Sequence, residues 1–270
     1  MTDFRDLTDP PPKTAYRIPD RWAWPDRDRV SDLKPGRVDV WLIRLQDGDW
    51  DRDSCWPVLS EQEQNRSRRF KHPGAREEYV ISRGLLRILL SEYVGIAPSD
   101  LVFRTAPRGK PFLASDEGLP VPEFNMTHSH GVGLYAFAIG QAVGIDVEMV
   151  ERKTAGVQVA KRFFTEREAR KIADRPEVLG KEAFLRSWVC KEACLKWTGA
   201  GLSGGLKTHE ILFSDAWRDP KVVGEGPRPA LHFLEPGDKW VGAVATDVAA
   251  CVQSAVYRRG KIGVHQPEAD

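Results

Sequence analysis

K-R-F (Lys161 to Phe163) followed by F-L-R-S-W-V-C-K-E (Phe184 to Glu192) restates, in the second half of the chain, R-R-F (Arg68 to Phe70) followed by Y-V-I-S-R-G-L-L-R (Tyr79 to Arg87) in the first. Each copy is a basic segment closed by phenylalanine, then a long helical pattern that stops at a glycine, Gly95 or Gly199, the residue that most easily ends a helix in a left-handed turn. Each half offers a strand, a short helix, a long helix and further strands. Duplication explains that order, so the expected fold class is α+β, with two similar α+β subdomains related by pseudo-twofold symmetry and a cleft between them.

Working outward, V-D-V-W-L-I-R-L from Val38 reads as a strand. Ser60, with Glu63 three residues on, forms a capping-box signal that opens a short helix. The long helix is expected from about Ala75 to Val94, with strands near Leu101 to Thr105 and Gly133 to Ile139. Residues 1–36, with Pro10, Pro11 and Pro12 in a row, read as an N-terminal extended arm anchored by Trp22 and Trp24. The subdomains are then expected at 37–140 and 141–260, followed by a C-terminal tail at 261–270.

Forty basic and thirty-nine acidic residues in 270 leave a net charge of +1, which argues against nucleic-acid or membrane binding driven by bulk charge. Anion recognition must therefore be local. The chain has no run of eighteen apolar residues, and M-T-D-F-R-D lacks the basic and apolar segments of a secretion signal, so a cytoplasmic protein is expected. Cys55, Cys190, Cys194 and Cys251 lack C-x-x-C spacing and suggest neither disulfides nor zinc.

Chemistry concentrates in G-I-D-V-E (Gly144 to Glu148) and W-V-C-K-E-A-C-L-K (Trp188 to Lys196). On a strand, Asp146 and Glu148 share a face; on a helix, Glu192 and Lys196 stand one turn apart. Three carboxylates beside an ammonium suit a hard divalent cation that takes its remaining ligands from water and phosphates. Each segment alone also reads as a strand end or as an exposed helix whose ion pair contributes only about 0.3–0.5 kcal/mol. G-K-P-F (Gly109 to Phe112) and F-N-M-T-H-S-H (Phe124 to His130) supply the third element.

Together, in this order, these blocks resemble the 4'-phosphopantetheinyl transferase superfamily, and the length with its internal echo resembles the two-repeat, Sfp-type branch. The resemblance implies transfer of the 4'-phosphopantetheine arm of coenzyme A to a serine of an acyl, polyketide or peptidyl carrier protein. Adenosine 3',5'-bisphosphate would leave. It implies Mg²⁺, with Mn²⁺ as the other divalent ion of suitable chemistry, held by Asp146, Glu148 and Glu192. Glu192 is then the general base, with Glu148 as its rival, and Lys196 faces the pyrophosphate. Thr127, where the family usually has serine, and His128 meet phosphate oxygens; Arg108, Gly109, Lys110 and Pro111 line the adenine. Lysines and an arginine that some relatives carry in the first half are replaced here by Gln62, Asn65 and Glu78, which leaves Arg66, then Arg76, for the 3'-phosphate. Because one chain supplies both halves, a monomer is expected. A Mg²⁺-dependent phosphohydrolase and a non-catalytic coenzyme A or nucleotide binder are the competing classes.

Overall fold

The computed structural model describes residues 16–17, 33–45, 50–114, 121–152, 154–201, 205–214, 217, 219–224, 226–247 and 251–256. The expected anchors Trp22 and Trp24 and the 261–270 tail lie outside the described residues. The elements run β1 (Tyr16–Arg17), β2 (Arg37–Arg44), α1 (Arg52–Cys55), α2 (Glu61–Ser67), α3 (Pro73–Val94), β3 (Phe103–Thr105), β4 (Pro111–Leu113), β5 (Glu123–Ser129), β6 (Val132–Ala138) and β7 (Val143–Met149). They continue α4 (Gly156–Phe163), α5 (Glu166–Ala173), α6 (Glu177–Thr198), β8 (Glu210–Leu212), β9 (Lys221–Val223), β10 (Ala230–Glu235), β11 (Trp240–Thr246) and β12 (Cys251–Val256).

Two four-stranded sheets form, ordered β12-β2-β6-β5 and β1-β10-β11-β7. The two halves repeat an antiparallel path, β2-β6-β5 in the first and β7-β11-β10 in the second. The sheets stack face to face. Val38, Val40 and Leu42 of β2 share an apolar layer with Val143, Ile145 and Val147 of β7. The alternate residues Trp41 and Ile43 point outward into a core under α3, while Ala243 and Ala245 of β11 point into the core under α6. Burial on both faces explains why β2 is apolar along nearly its whole length.

The repeat extends to side chains. Ser60 and Glu63 form a capping box on α2, as Thr165 and Glu168 do on α5. Both long helices end in a left-handed glycine, Gly95 at φ 69° and Gly199 at φ 66°. Eight residues before each glycine lies a buried cation. Arg87 donates to Glu63 Oε2 at 2.7 Å and to the carbonyls of Pro98 and Leu101. Lys191 contacts Glu168 Oε1 at 2.8 Å and donates to the carbonyls of Leu206 and His209. The duplicated shape is therefore real, but its register differs from the sequence echo: K-R-F closes α4, whereas R-R-F follows α2. Capping boxes and cap glycines, not the basic tripeptides, align the halves.

Two strands cross the expected partition. β12, within the 141–260 segment, pairs parallel with β2 of the first half, and β1 of the arm pairs parallel with β10 of the second. Each covers a sheet edge that would otherwise present unpaired backbone groups.

Candidate active site

The free edges of the two sheets, β5 and β7, lie side by side at the seam between the halves. Asn125, Thr127 and Ser129 alternate along β5, and all three reach β7. Asn125 Oδ1 accepts from the Ile145 N–H at 2.9 Å, Thr127 Oγ1 donates to Asp146 Oδ1 at 3.0 Å, and Ser129 Oγ donates to Glu148 Oε2 at 3.1 Å. The period-two spacing of F-N-M-T-H-S is thus matched to that of G-I-D-V-E.

α6 closes the third side because Gly144 lets it approach. A Cβ at Gly144 would sit 2.1 Å from the Ala193 carbonyl oxygen and 2.3 Å from the Trp197 nitrogen, so no side chain fits there. This contact holds the Glu192 and Lys196 turn over β7. Lys196 Nζ donates to Asp146 Oδ1 at 2.6 Å and to the Ile145 carbonyl at 3.0 Å. Asp146 is buried, and its Oδ2 has no hydrogen-bond partner among the described residues. Burial pushes the Asp146 carboxyl upward, against the pull of Lys196. Burial also raises Glu192, and the neighbouring Asp146 and Glu148 charges add to the rise while Lys196 opposes it.

Asp146, Glu148, Glu192, Lys196 and Thr127 therefore come together as expected, although their mutual bonds assign some of them different work. Thr127 spends its donor on Asp146, and Lys196 is the ion-pair partner of that same oxygen. Glu148 is engaged by Ser129 and Arg152. Lys191, the neighbour of Glu192, is buried and tied to Glu168. His128 points the other way from Thr127; it is exposed, and its Nδ1 lies 3.2 Å from Glu78 Oε1 on α3.

The G-K-P segment forms the turn between β3 and β4, with Gly109 at φ 93° and its N–H donating to the Ala106 carbonyl. Lys110 Nζ crosses the seam to the Val143 carbonyl at 2.9 Å, and burial lowers its pKa. Arg108 is exposed, and Pro111 opens β4. Arg66 stacks over Tyr79 at 5.7 Å, beside an open groove of about 770 Å³ lined by Asn65, Arg66, Arg69 and Phe70 among others. Arg76 sits in the first turn of α3, half-buried, with its Nε unpartnered among the described residues.

Sequence reasoning passed over Asn125, Ser129 and Arg152, and named Glu78 only as a departure from the basic residues of some relatives. The alternation within F-N-M-T-H-S already signalled the first two.

Among the described residues no group of three His, Cys, Asp or Glu side chains is close enough to hold a metal ion. A hard cation that draws most of its ligands from water and phosphate needs fewer, and the orphaned, buried Asp146 Oδ2 beside Glu192 fits that demand.

Comparison with known proteins agrees with this geometry. Residues 142–245 match the 4'-phosphopantetheinyl transferase superfamily, and residues 49–141 match its N-terminal family, described as 4'-phosphopantetheinyl transferase, N-terminal. The chain is 34% identical over 226 residues to the 4'-phosphopantetheinyl transferase HetI of Nostoc, covering 83% of this chain and 93% of that one. It is 30% identical over 153 residues to the transferase Sfp of Bacillus subtilis, covering 57% and 66%. With the human L-aminoadipate-semialdehyde dehydrogenase-phosphopantetheinyl transferase it shares 29% identity over 224 residues, covering 80% and 66%. The chain belongs to the 4'-phosphopantetheinyl transferase superfamily, in its two-repeat, Sfp-type branch, and is an enzyme of that kind.

Proposed function

We propose that this enzyme moves the 4'-phosphopantetheine arm of coenzyme A onto a serine of an apo acyl, polyketide or peptidyl carrier protein, with Mg²⁺ or Mn²⁺ bound, and releases adenosine 3',5'-bisphosphate. The observation that carries this reading is the Asp146 carboxylate. One oxygen is fixed by Lys196 and Thr127, and the other is buried and free, next to a second carboxylate, Glu192. Asp146 and Glu192 would hold the cation, with Glu148 as the third candidate. When bound, such an ion neutralises charge that builds on the pyrophosphate.

The remaining work falls to side chains of this chain. Glu192, whose carboxyl is raised above its ordinary range, takes the proton from the serine hydroxyl as the serine oxygen bonds to the phosphorus bearing pantetheine. The phosphorus–oxygen bond to the adenosine-side phosphate breaks, and its electron pair leaves with that phosphate. Lys196 balances Asp146 within the seam and presents positive charge at the pyrophosphate end. His128 and the backbone of the Arg108 to Pro111 turn lie along the coenzyme, and Arg66, then Arg76, meets the 3'-phosphate. A single chain supplies every part, which supports a monomer, and the proposal places it in the cytoplasm; no helix among the described residues is long and apolar enough to cross a membrane.

Intact-mass measurement of an apo carrier protein incubated with the enzyme, coenzyme A and Mg²⁺ tests the proposal. A gain of one phosphopantetheine unit is expected. No gain on fatty-acid, polyketide and peptide carriers alike would overturn it, and adenosine bisphosphate release without a carrier would point to hydrolysis.

A further inference from the structure

A second basic cavity lies away from the seam, between α5, β8, Ser187 of α6 and the residues Phe213, Ser214 and Trp217 beyond β8. Its volume is about 150 Å³, and its polar wall includes Arg167, Lys171, Arg175 and Ser187, closed by Phe213 and Trp217. At about 30 Å³ per water, that is space for a phosphate group and not for a nucleotide.

Among the described residues the charges around it are uncompensated. Arg167 and Lys171 stand one turn apart on α5, and Arg175 follows just past its end. Like charges at that spacing destabilise a helix, and Arg167 in the first turn also opposes the helix dipole. Among the described residues none of the three has an acidic partner within ion-pair distance. Glu168 lines the same cavity, but its carboxylate is committed to Lys191 and to the N–H groups of Ile211 and Thr165. By contrast Arg170, on another face of α5, pairs with Glu166 at 2.6 Å.

Trp217 fixes the third cation. The Arg175 guanidinium lies over its ring at 5.2 Å, and Arg175 Nε is buried with no partner among the described residues. Trp217 itself stacks on Phe213 at 5.0 Å, and Arg186 donates to its carbonyl. Its φ of 53° is a left-handed value that a bulky residue adopts only when its surroundings impose it.

We infer that this cavity is a phosphate-binding site, separate from the seam, in which Arg167, Lys171 and Arg175 hold a phosphate group against Trp217. Three cations around a volume of this size suit a tetrahedral dianion better than a carboxylate, because each oxygen can take a charge-assisted bond. Inorganic phosphate and the phosphate of a small monoester share that chemistry.

The test follows the Trp217 indole N–H in a nitrogen-15 spectrum of the full chain, assigned by its loss in Trp217→Phe. Titration with inorganic phosphate at constant ionic strength should move this signal saturably. Arg175→Gln should weaken the midpoint about tenfold or more, and Lys171→Gln, at an exposed position that does not threaten folding, should weaken it several-fold. A parallel titration with glycerol phosphate ranks the two sources, and saturable binding of either supports the site. The inference is overturned if neither anion shifts the signal saturably, if both variants bind as the parent does, or if acetate binds as tightly as phosphate.

Discussion

The Thr127 hydroxyl donates to Asp146 Oδ1 at 3.0 Å, joining an edge strand of the first half to an edge strand of the second at a buried carboxylate. The same oxygen takes the Lys196 ammonium, so Oδ1 is fully occupied and Oδ2 is the oxygen left for an external ligand. A hydroxyl from one half thus orients an acid from the other, and neither half carries the centre alone.

Thr127→Val keeps the shape and removes that donor. A hydrogen bond to a charged group contributes about 1.5–3 kcal/mol, so transfer should fall by roughly ten- to a hundredfold, with most of the loss in kcat/KM. Thr127→Ser should restore most of it. Steady-state kinetics of the two variants check this, and equal loss in both would show that the methyl group, not the hydroxyl, matters.

Gly144→Ala should loosen α6 from β7. The added Cβ would overlap backbone atoms of Ala193 and Trp197, which cannot swing aside as a side-chain tip could. Overpacking typically costs about 1–3 kcal/mol, and rigid neighbours place this variant at or above the upper end. Urea unfolding should show the loss, accompanied by reduced activity because Glu192 and Lys196 move with the helix.

How much of this was legible in the sequence follows from the range of the interactions. The capping box at Ser60 and Glu63, the long helices with their terminal glycines and the strand at Val38 are local, and all formed where the pattern predicted. The convergence of Asp146, Glu192 and Lys196 was legible too, through period-two and i,i+4 spacing together with family resemblance. The partners of those residues were not. Nothing in the neighbourhood of Thr127 reveals that its hydroxyl faces Asp146 rather than outward, because that depends on how two sheet edges meet. The crossing of β1 and β12 into opposite sheets is equally non-local. In the sequence Gly144 is only the first residue of G-I-D-V-E; the packed helix shows that it is a point of close approach.

Lys191 precedes Glu192 in sequence, but its ammonium is spent on Glu168 and two carbonyls inside the core. Removing one member of a buried ion pair costs about 3–5 kcal/mol. Lys191→Ala should therefore destabilise the protein by about that amount. Lys191→Met combined with Glu168→Gln should lose less than the sum of the two single variants. Denaturant unfolding of the four proteins checks the coupling.

His232 on β10 gives a pH dependence away from the seam. Burial holds its imidazole below the ordinary 6.5, as it does that of His209. The unfolded chain then binds more protons than the folded one below about pH 6.5, so stability is present above that value and lost as pH falls toward the depressed folded pKa. The difference in melting temperature between pH 7.5 and pH 5.5 should shrink in His232→Gln, as followed by circular dichroism. An unchanged difference would assign the slope to other groups.

Single-turnover transfer by Glu192→Gln, with coenzyme A binding measured in parallel by calorimetry, tests the seam's chemistry most directly. Loss of the base should slow the chemical step by about a hundredfold or more, while coenzyme A still binds within a few-fold of the parent affinity. Transfer at the parent rate would contradict the account and remove Glu192 from the proton's path.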